Sequence, residues 1–281
     1  MIQENANQVR IVSDREARPG LARRVLRSDL AMAITSPLII LIIWEILVRT
    51  AILDARFFPA PSSVIVEFVA LIRSGELLRG LLWTIGRVLV GFLLGAIPGV
   101  LLGIVMGLSP PIRAFLQPVI ASFYPIPKIA LFPLVMMLFG LGEASKWVIV
   151  AVAVFFQVLF STLSGVVNID RIYLDVASNF RATRWQACRT IALPGALPFI
   201  FTGFQLGLGM ALIVVVIAEN FGTEVGLGYL IWRSWQVFEV RDMFVGLLMV
   251  ALLGYCSQLL ILRLERAVIP WKQTKQTGVQ T

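Results

Sequence analysis

The sequence predicts an all-α polytopic membrane protein with about six transmembrane helices and both termini on the cytoplasmic side. Three observations predict it. Only 14% of the 281 residues are charged and 58% are hydrophobic, with a mean hydropathy of +0.88; a soluble domain carries about 25% charged residues. Several apolar runs of about 17 to 25 residues can each cross a hydrocarbon core roughly 30 Å thick. Finally, 15 of the 24 lysines and arginines fall on one side of a six-span arrangement and 7 on the other. The richer side, which holds both termini, is cytoplasmic by the positive-inside rule. A soluble fold of this composition would leave too much apolar surface uncovered.

Residues 1–28 form a polar cytoplasmic lead bearing Arg10, Arg15, Arg18, Arg23, Arg24 and Arg27, followed by a transmembrane domain over 29–265 and a cytoplasmic tail over 266–281. The first span is expected over about 31–50. No small-residue cleavage site follows it, which predicts an uncleaved span rather than a removed signal peptide. The next stretch, "DARFFPAPSSVIVEFVALIRSGEL", reads as an extracytoplasmic loop. In it Ser62 or Ser63 caps a short amphipathic helix lying near the interface up to Arg73.

The second span, about 80–107, carries Gly91, Gly95, Gly99, Gly103 and Gly107 at every fourth position. On a helix this is a smooth stripe where another backbone can approach closely, from the same chain or a second copy. Pro98 is expected to kink it. Arg87 is suited either to snorkel to the interface or to pair with Glu219 or Glu45. The third span, about 114–140, contains Pro118, Pro125, Pro127 and Pro133 and must be broken. Broken backbone at membrane depth is tolerated where it lines a cavity or is buried in protein. Lys128 in the break marks a pathway or a position near the interface.

The fourth, fifth and sixth spans follow at about 146–166, 195–219 and 243–262. Thr202, Gln205, Gly209 and Glu219 fall roughly on one face of the fifth, a candidate lining for a translocation pathway. Gln205 is equally suited to a helix–helix hydrogen bond.

Several chemistries are excluded. The chain has no histidine and two cysteines, Cys188 and Cys256, in unlike surroundings, so neither a metal site nor a disulfide is expected. No catalytic constellation is visible. The lysines at 128, 146, 272 and 275 are followed by Ile, Trp, Gln and Gln, so no phosphate loop is present. The net charge of +8 is concentrated at the termini and in one polar stretch, which is a topology signal rather than a nucleic-acid footprint.

That polar stretch, about 167–194, is the feature the membrane reading does not absorb. In "YLDVASNFRATRWQACRTIALP", Asp175 and Val176 open a helical segment. Ala177, Phe180, Trp185 and Ile191 supply apolar contacts, and Arg181, Arg184 and Arg189 the polar side. The segment could lie on anionic lipid, where each basic residue contributes about 1 kcal/mol. Leu193-Pro194 then restarts the chain toward the fifth span.

The same stretch resembles the EAA loop of ABC importer permeases: Glu-Ala-Ala, three residues, Gly, nine residues, Ile, one residue, Leu-Pro. Asp175-Val176-Ala177 stands at the Glu-Ala-Ala position and Arg181 at the glycine, with Ile191 and Leu193-Pro194 in register. Aspartate keeps the charge on a shorter arm, whereas arginine forbids an easy left-handed turn between two short helices. "FFPAPSSV", "LLWTIGRVLVGFLLGAIPGVLLGIVMGLS", "PIPKIALFPLVMMLFGLGEASK" and "LPGALPFIFTGFQLGLGMALIVVVIAE" are similar to the nitrate/sulfonate/taurine-type branch of these permeases.

The resemblance implies a type I importer permease in the bacterial plasma membrane that dimerises, docks on two cytoplasmic ABC ATPase subunits and receives solute from an extracytoplasmic binding protein. It implies that Asp175, Val176, Ala177, Phe180, Arg181, Ala182, Thr183, Arg184 and Trp185 form the ATPase-docking coupling helix, with Leu193 and Pro194 at the loop exit. ATP and magnesium would be bound by the partner subunits, and no cofactor by this chain. The branch handles nitrate, sulfonates, taurine, bicarbonate, aromatic acids and thiamine or flavin precursors; a sulfonate-like organic anion is the favoured substrate. The alternative is an ion-coupled secondary transporter, which usually shows more spans or an inverted repeat. A membrane-embedded enzyme would lack a catalytic constellation here.

Overall fold

The computed structural model describes residues 35–270, with the backbone alone at Arg171, Leu174, Ser178 and Arg184. The arginines of the lead, Lys272, Lys275 and the start of the first expected span lie outside the described residues. The chain divides into two units, up to Ser62 and from Ser63 onward.

In the first unit, helix α1 covers residues 35–49 and α2, Pro61–Arg73, begins at its end. The sequence suggests Ser62 or Ser63 as the cap of α2. Instead Pro61, which has no N–H to lose, takes the first helical position. The Ser62 N–H donates to Glu45 Oε2 (3.0 Å) and its hydroxyl to Glu45 Oε1 (2.8 Å). A carboxylate thus meets the positive end of α2.

The second unit is helical throughout its regular structure, with no strand among the described residues. Gly75, at φ +79°, turns α2 into α3, Glu76–Leu108. At 1.5 Å per residue, α3 is about 50 Å long, well beyond a hydrocarbon core. Pro98 lies inside it without ending it. Then come α4, Pro110–Phe123; a 3-10 turn, Lys128–Leu131; α5, Phe132–Phe139; and α6, Glu143–Val167. Two short helices, α7 (Arg171–Asn179) and α8 (Arg184–Ala187), lead through a π turn, Cys188–Ala192, into α9, Leu193–Ala218. Helices α10 (Leu227–Gln236) and α11 (Val240–Val268) complete the unit.

Four helical stretches are long and apolar enough to cross a membrane, Glu76–Leu108, Glu143–Val167, Trp185–Ala218 and Val240–Val268. The α4–α5 pair, bent by 84°, makes up to five among the described residues. Of the prolines expected to break the third span, only Pro125 and Pro127 sit in the break. Pro118 is carried inside α4, and Pro133 occupies the first turn of α5, where the missing N–H is harmless. The ammonium of Lys128 fills the gap, donating to the carbonyls of Tyr124 (2.6 Å), Ile126 (2.8 Å) and Phe123 (3.2 Å). It lies 4.4 Å from the Phe156 ring centroid. The carbonyls of Tyr124 and Phe123 are ones that the ending of α4 leaves without helical partners.

The fifth span starts earlier than the sequence suggests. Leu193-Pro194 is not preceded by a loop: helix runs from Trp185 to Ala218 without interruption. A proline ring would collide with the carbonyl four residues back in a regular helix, and the widened π turn at 188–192 lies where that collision would fall.

The core is built by α3, α5, α6 and α9. Val88 and Ala96, Phe132 and Val135, Ile149 to Val158, and Ala211 to Ala218 form one buried cluster. Of the seven glycines of α3, the five of the stripe face α6: a Cβ on Gly91, Gly99, Gly103 or Gly107 would come within about 3 Å of Val150, Phe155, Thr162 or Val166, and on Gly95 would strike the backbone of Ala151. Helix α10, which periodicity in the loop did not announce, buries Leu227 and Leu230 with Leu77 and Val245.

Candidate functional site

The loop between the fourth and fifth spans folds as two helices separated by a sharp turn. Helix α7 closes on Phe180, whose N–H reaches the Val176 carbonyl (3.0 Å), and the Ala182 N–H returns to the Ala177 carbonyl (2.9 Å). This six-to-one bond is the Schellman closure, which needs a left-handed residue just before its donor. That residue is Arg181, at φ +53°. The sequence argues against an easy turn of this kind at arginine; it forms here because the left-handed region costs a non-glycine residue only about 1–2 kcal/mol and the closing bonds offset it.

A second device restarts the chain two residues later. Thr183 and Gln186 form a capping box: the Thr183 N–H donates to Gln186 Oε1 (2.8 Å) and the Gln186 N–H to Thr183 Oγ1 (3.3 Å). Each satisfies a donor that the start of α8 would leave open. The nine residues from Asp175 to Trp185 assigned to docking therefore straddle a helix end, a turn and a helix start rather than one helix. The turn presents two large apolar side chains, Phe180 at 83% exposed and Trp185 at 72%. Asp175, Arg181 and Thr183 are exposed beside them, Val176 is exposed, and Ala177 and Ala182 are half-buried.

At the opposite end of the same helices lies a buried charge cluster. Arg87 of α3 donates from Nη1 to Glu219 Oε1 (2.7 Å) and the Val225 carbonyl (2.6 Å), and from Nη2 to Thr223 Oγ1 (3.0 Å). Its Nε and Nη2 also hold Glu143 at 2.7 and 2.8 Å. Glu219 is fully buried. It accepts further bonds from the Thr84 hydroxyl (2.8 Å) and the Gly228 N–H (2.8 Å). Gly226, at φ +143°, passes over its carboxylate where any Cβ would collide. Lys146, also fully buried, donates to the carbonyls of Leu141, Gly142 and Gly222.

Two of these residues escaped the sequence reading. Arg87 does pair with Glu219, but its second carboxylate is Glu143, which stands among turn residues and shows no periodic signal. Lys146 had been counted only as a loop charge.

The other polar residues of α9 divide. Thr202 and Gly209 are exposed, with open space beside Gly209. Thr202 donates to the Pro198 carbonyl (3.0 Å). Gln205 donates to Glu265 of α11 (3.1 Å) and accepts from Gln258 (3.4 Å).

Residues 99–270, more than half of the chain and spanning α7, α8 and the end of the core, match the family described as binding-protein-dependent transport system inner membrane component. The chain belongs to this family. The permease is 32% identical to a Bacillus subtilis protein provisionally named an aliphatic sulfonates transport permease, over 85% of this chain and 86% of that one. It is 28% identical to the taurine transport system permease protein of Escherichia coli, over 88% and 91% of the two chains.

Its fold is that of a type I importer permease. A chain of the MetNI methionine ABC transporter, in an inward-facing crystal form, superposes with a TM-score of 0.63 at 20% identity, covering 69% of this chain and 96% of that one. The permease is thus a multi-pass inner-membrane transport component, not a catalytic subunit, and its family implies ATPase and binding-protein partners. This membership sets aside the ion-coupled secondary transporter.

Proposed function

We propose that this permease, as a homodimer with both termini cytoplasmic, forms the membrane channel of an ATP-driven importer for a small sulfonate or taurine-like organic anion. An extracytoplasmic binding protein delivers the solute. Two ATPase subunits bind ATP and magnesium on the cytoplasmic side, and this chain holds no cofactor. The names of the two relatives support the substrate class.

The observation that carries the reading is the α7–α8 turn. It projects Phe180 and Trp185 into the open at the end of the helices remote from the charge cluster. Large exposed aromatics beside a rigid turn suit insertion into a groove on a soluble partner, where aromatic anchors dominate binding. Because α8 runs without a break into α9, a push on the turn is delivered along a 34-residue helix to the outer end of the bundle. The exposed side of α9 bearing Thr202 and Gly209 is the proposed lining of the path, with Gln205 and Glu219 bordering it through their links to α11 and α3.

Reconstitution tests the reading. Proteoliposomes holding the permease, its ATPase and its binding protein are expected to accumulate labelled taurine or ethanesulfonate only with ATP. Uptake of nitrate or a flavin in their place would overturn the substrate class. Uptake by the permease alone on an ion gradient would overturn the ATP-driven mechanism.

A further inference from the structure

The five N–H donors of Arg87 fall into two unequal groups. Three end on Glu219, Val225 and Thr223, in the segment that follows α9. The other two, on Nε and Nη2, form a fork on Glu143. Glu219 is sealed by Thr84, Gly228 and the close pass of Gly226. Glu143 is not: its side chain is 33% exposed. It borders a cleft of about 270 Å³ between α3 and α6, lined with Arg87 by Trp83, Gly86, Val90 and Trp147.

We propose that this cleft is an oxyanion site. A small tetrahedral monoanion, a sulfonate or a phosphodiester, takes the Nε/Nη2 fork of Arg87, and the Glu143 carboxylate is the built-in occupant that it displaces. A guanidinium fork matches two oxygens of a carboxylate, sulfonate or phosphate alike. The exchange keeps Arg87 neutralised, and Glu143, already partly in the open, has only to turn outward.

Glu219 cannot exchange in this way, because it is fully buried under Thr84, Gly228 and Gly226. The volume lies below the roughly 300 Å³ at which drug-sized pockets begin, so the ligand is small or enters by its headgroup. The indoles of Trp83 and Trp147 cover its apolar part. The displaced Glu143, left beside the ligand, disfavours a dianion. The site stands on this chain alone and does not need the sulfonate-import reading. A lipid headgroup and a soluble sulfonate would present it with the same chemistry.

The test uses the full chain in dodecyl maltoside micelles, which carry no phosphodiester, titrated with ethanesulfonate by calorimetry, with ethylammonium as the control of opposite charge. Glu143→Ala frees the fork, so ethanesulfonate is expected to bind about tenfold tighter than to the wild type, as when a competing closed state is removed; ethylammonium should not bind. Val90→Trp, which fills the cleft without touching the charge cluster, should abolish binding in the Glu143→Ala background. Short-chain phosphatidylglycerol added to these micelles at high salt, which screens the surface charge, identifies the headgroup as a ligand if it raises the Kd for ethanesulfonate; an unchanged Kd identifies a soluble sulfonate. Binding no tighter in Glu143→Ala, or binding that survives Val90→Trp, overturns the site. Failure of the reconstituted complex to import sulfonates would leave this result untouched.

Discussion

Gly95 of α3 rests directly on the backbone of Ala151 of α6, with no room between them for a methyl group. The four glycines in register with it make the same approach along the helix. In hydrocarbon, where apolar burial drives little association, such close backbone packing is a main source of helix affinity. Gly95→Val should therefore destabilise the permease by about 1–3 kcal/mol through overpacking. Gly86→Ala, with nothing within 4 Å of its added carbon, should be neutral or gain up to about 1 kcal/mol in helix propensity. Detergent-denaturation midpoints of the purified variants would decide; equal effects would mean that the stripe carries no packing.

The two carboxylates on Arg87 should differ sharply. Glu219→Gln leaves a buried guanidinium without its inner partner, and breaking a buried pair costs about 3–5 kcal/mol. Glu143→Gln leaves Arg87 its inner partner Glu219, and Glu143 is partly solvated, so the loss should stay below about 1–2 kcal/mol. The same denaturation assay orders the variants. A larger loss for Glu143→Gln would show that the exposed arm holds the cluster.

Lys128→Met should loosen the elbow between α4 and α5. It removes the donor shared by the carbonyls of Phe123, Tyr124 and Ile126 around the break, and a lost hydrogen bond to a charged donor costs about 1.5–3 kcal/mol. Amide exchange should rise over residues 120–131 and stay unchanged in α3. Protection identical to the wild type would mean that the break is held by its prolines alone.

Arg181→Gly should keep or tighten the α7–α8 turn, since glycine reaches the left-handed region without the arginine's cost, whereas Arg181→Val should open it. Gln186→Ala removes the capping box and should destabilise α8 by about 0.5–2 kcal/mol. Exchange rates of amides 180–190 report both. If Arg181→Val left them unchanged, the turn would not depend on this residue.

Phe180→Ala and Trp185→Ala should leave stability within about 0.5 kcal/mol, as expected for surface substitutions away from packed features. Both should nevertheless reduce co-purification of the ATPase. A drop in stability with no change in co-purification would assign these aromatics to the permease's own packing.

What the sequence determined by itself is whatever local chemistry enforces. A segment that crosses hydrocarbon must be apolar and satisfy its own backbone, so the spans from α3 onward are legible as runs. The break in the third span follows from the N–H groups that Pro125 and Pro127 lack. The helix–turn–helix character of the 167–194 loop is legible because its pattern is local. Tertiary structure decided the rest.

Arg87 and Glu219 are 132 residues apart, and no pattern in either neighbourhood selects one carboxylate over another. Glu143 and Lys146 join them only because α6 starts beside α3. The positive φ of Arg181 and the unbroken helix through Pro194 are likewise settled by bonds around them, the Ala182–Ala177 closure and the π turn, which outweigh the local preferences that argued against both. Periodicity records which face of a helix is apolar; which other helix meets that face is fixed by packing across the whole chain.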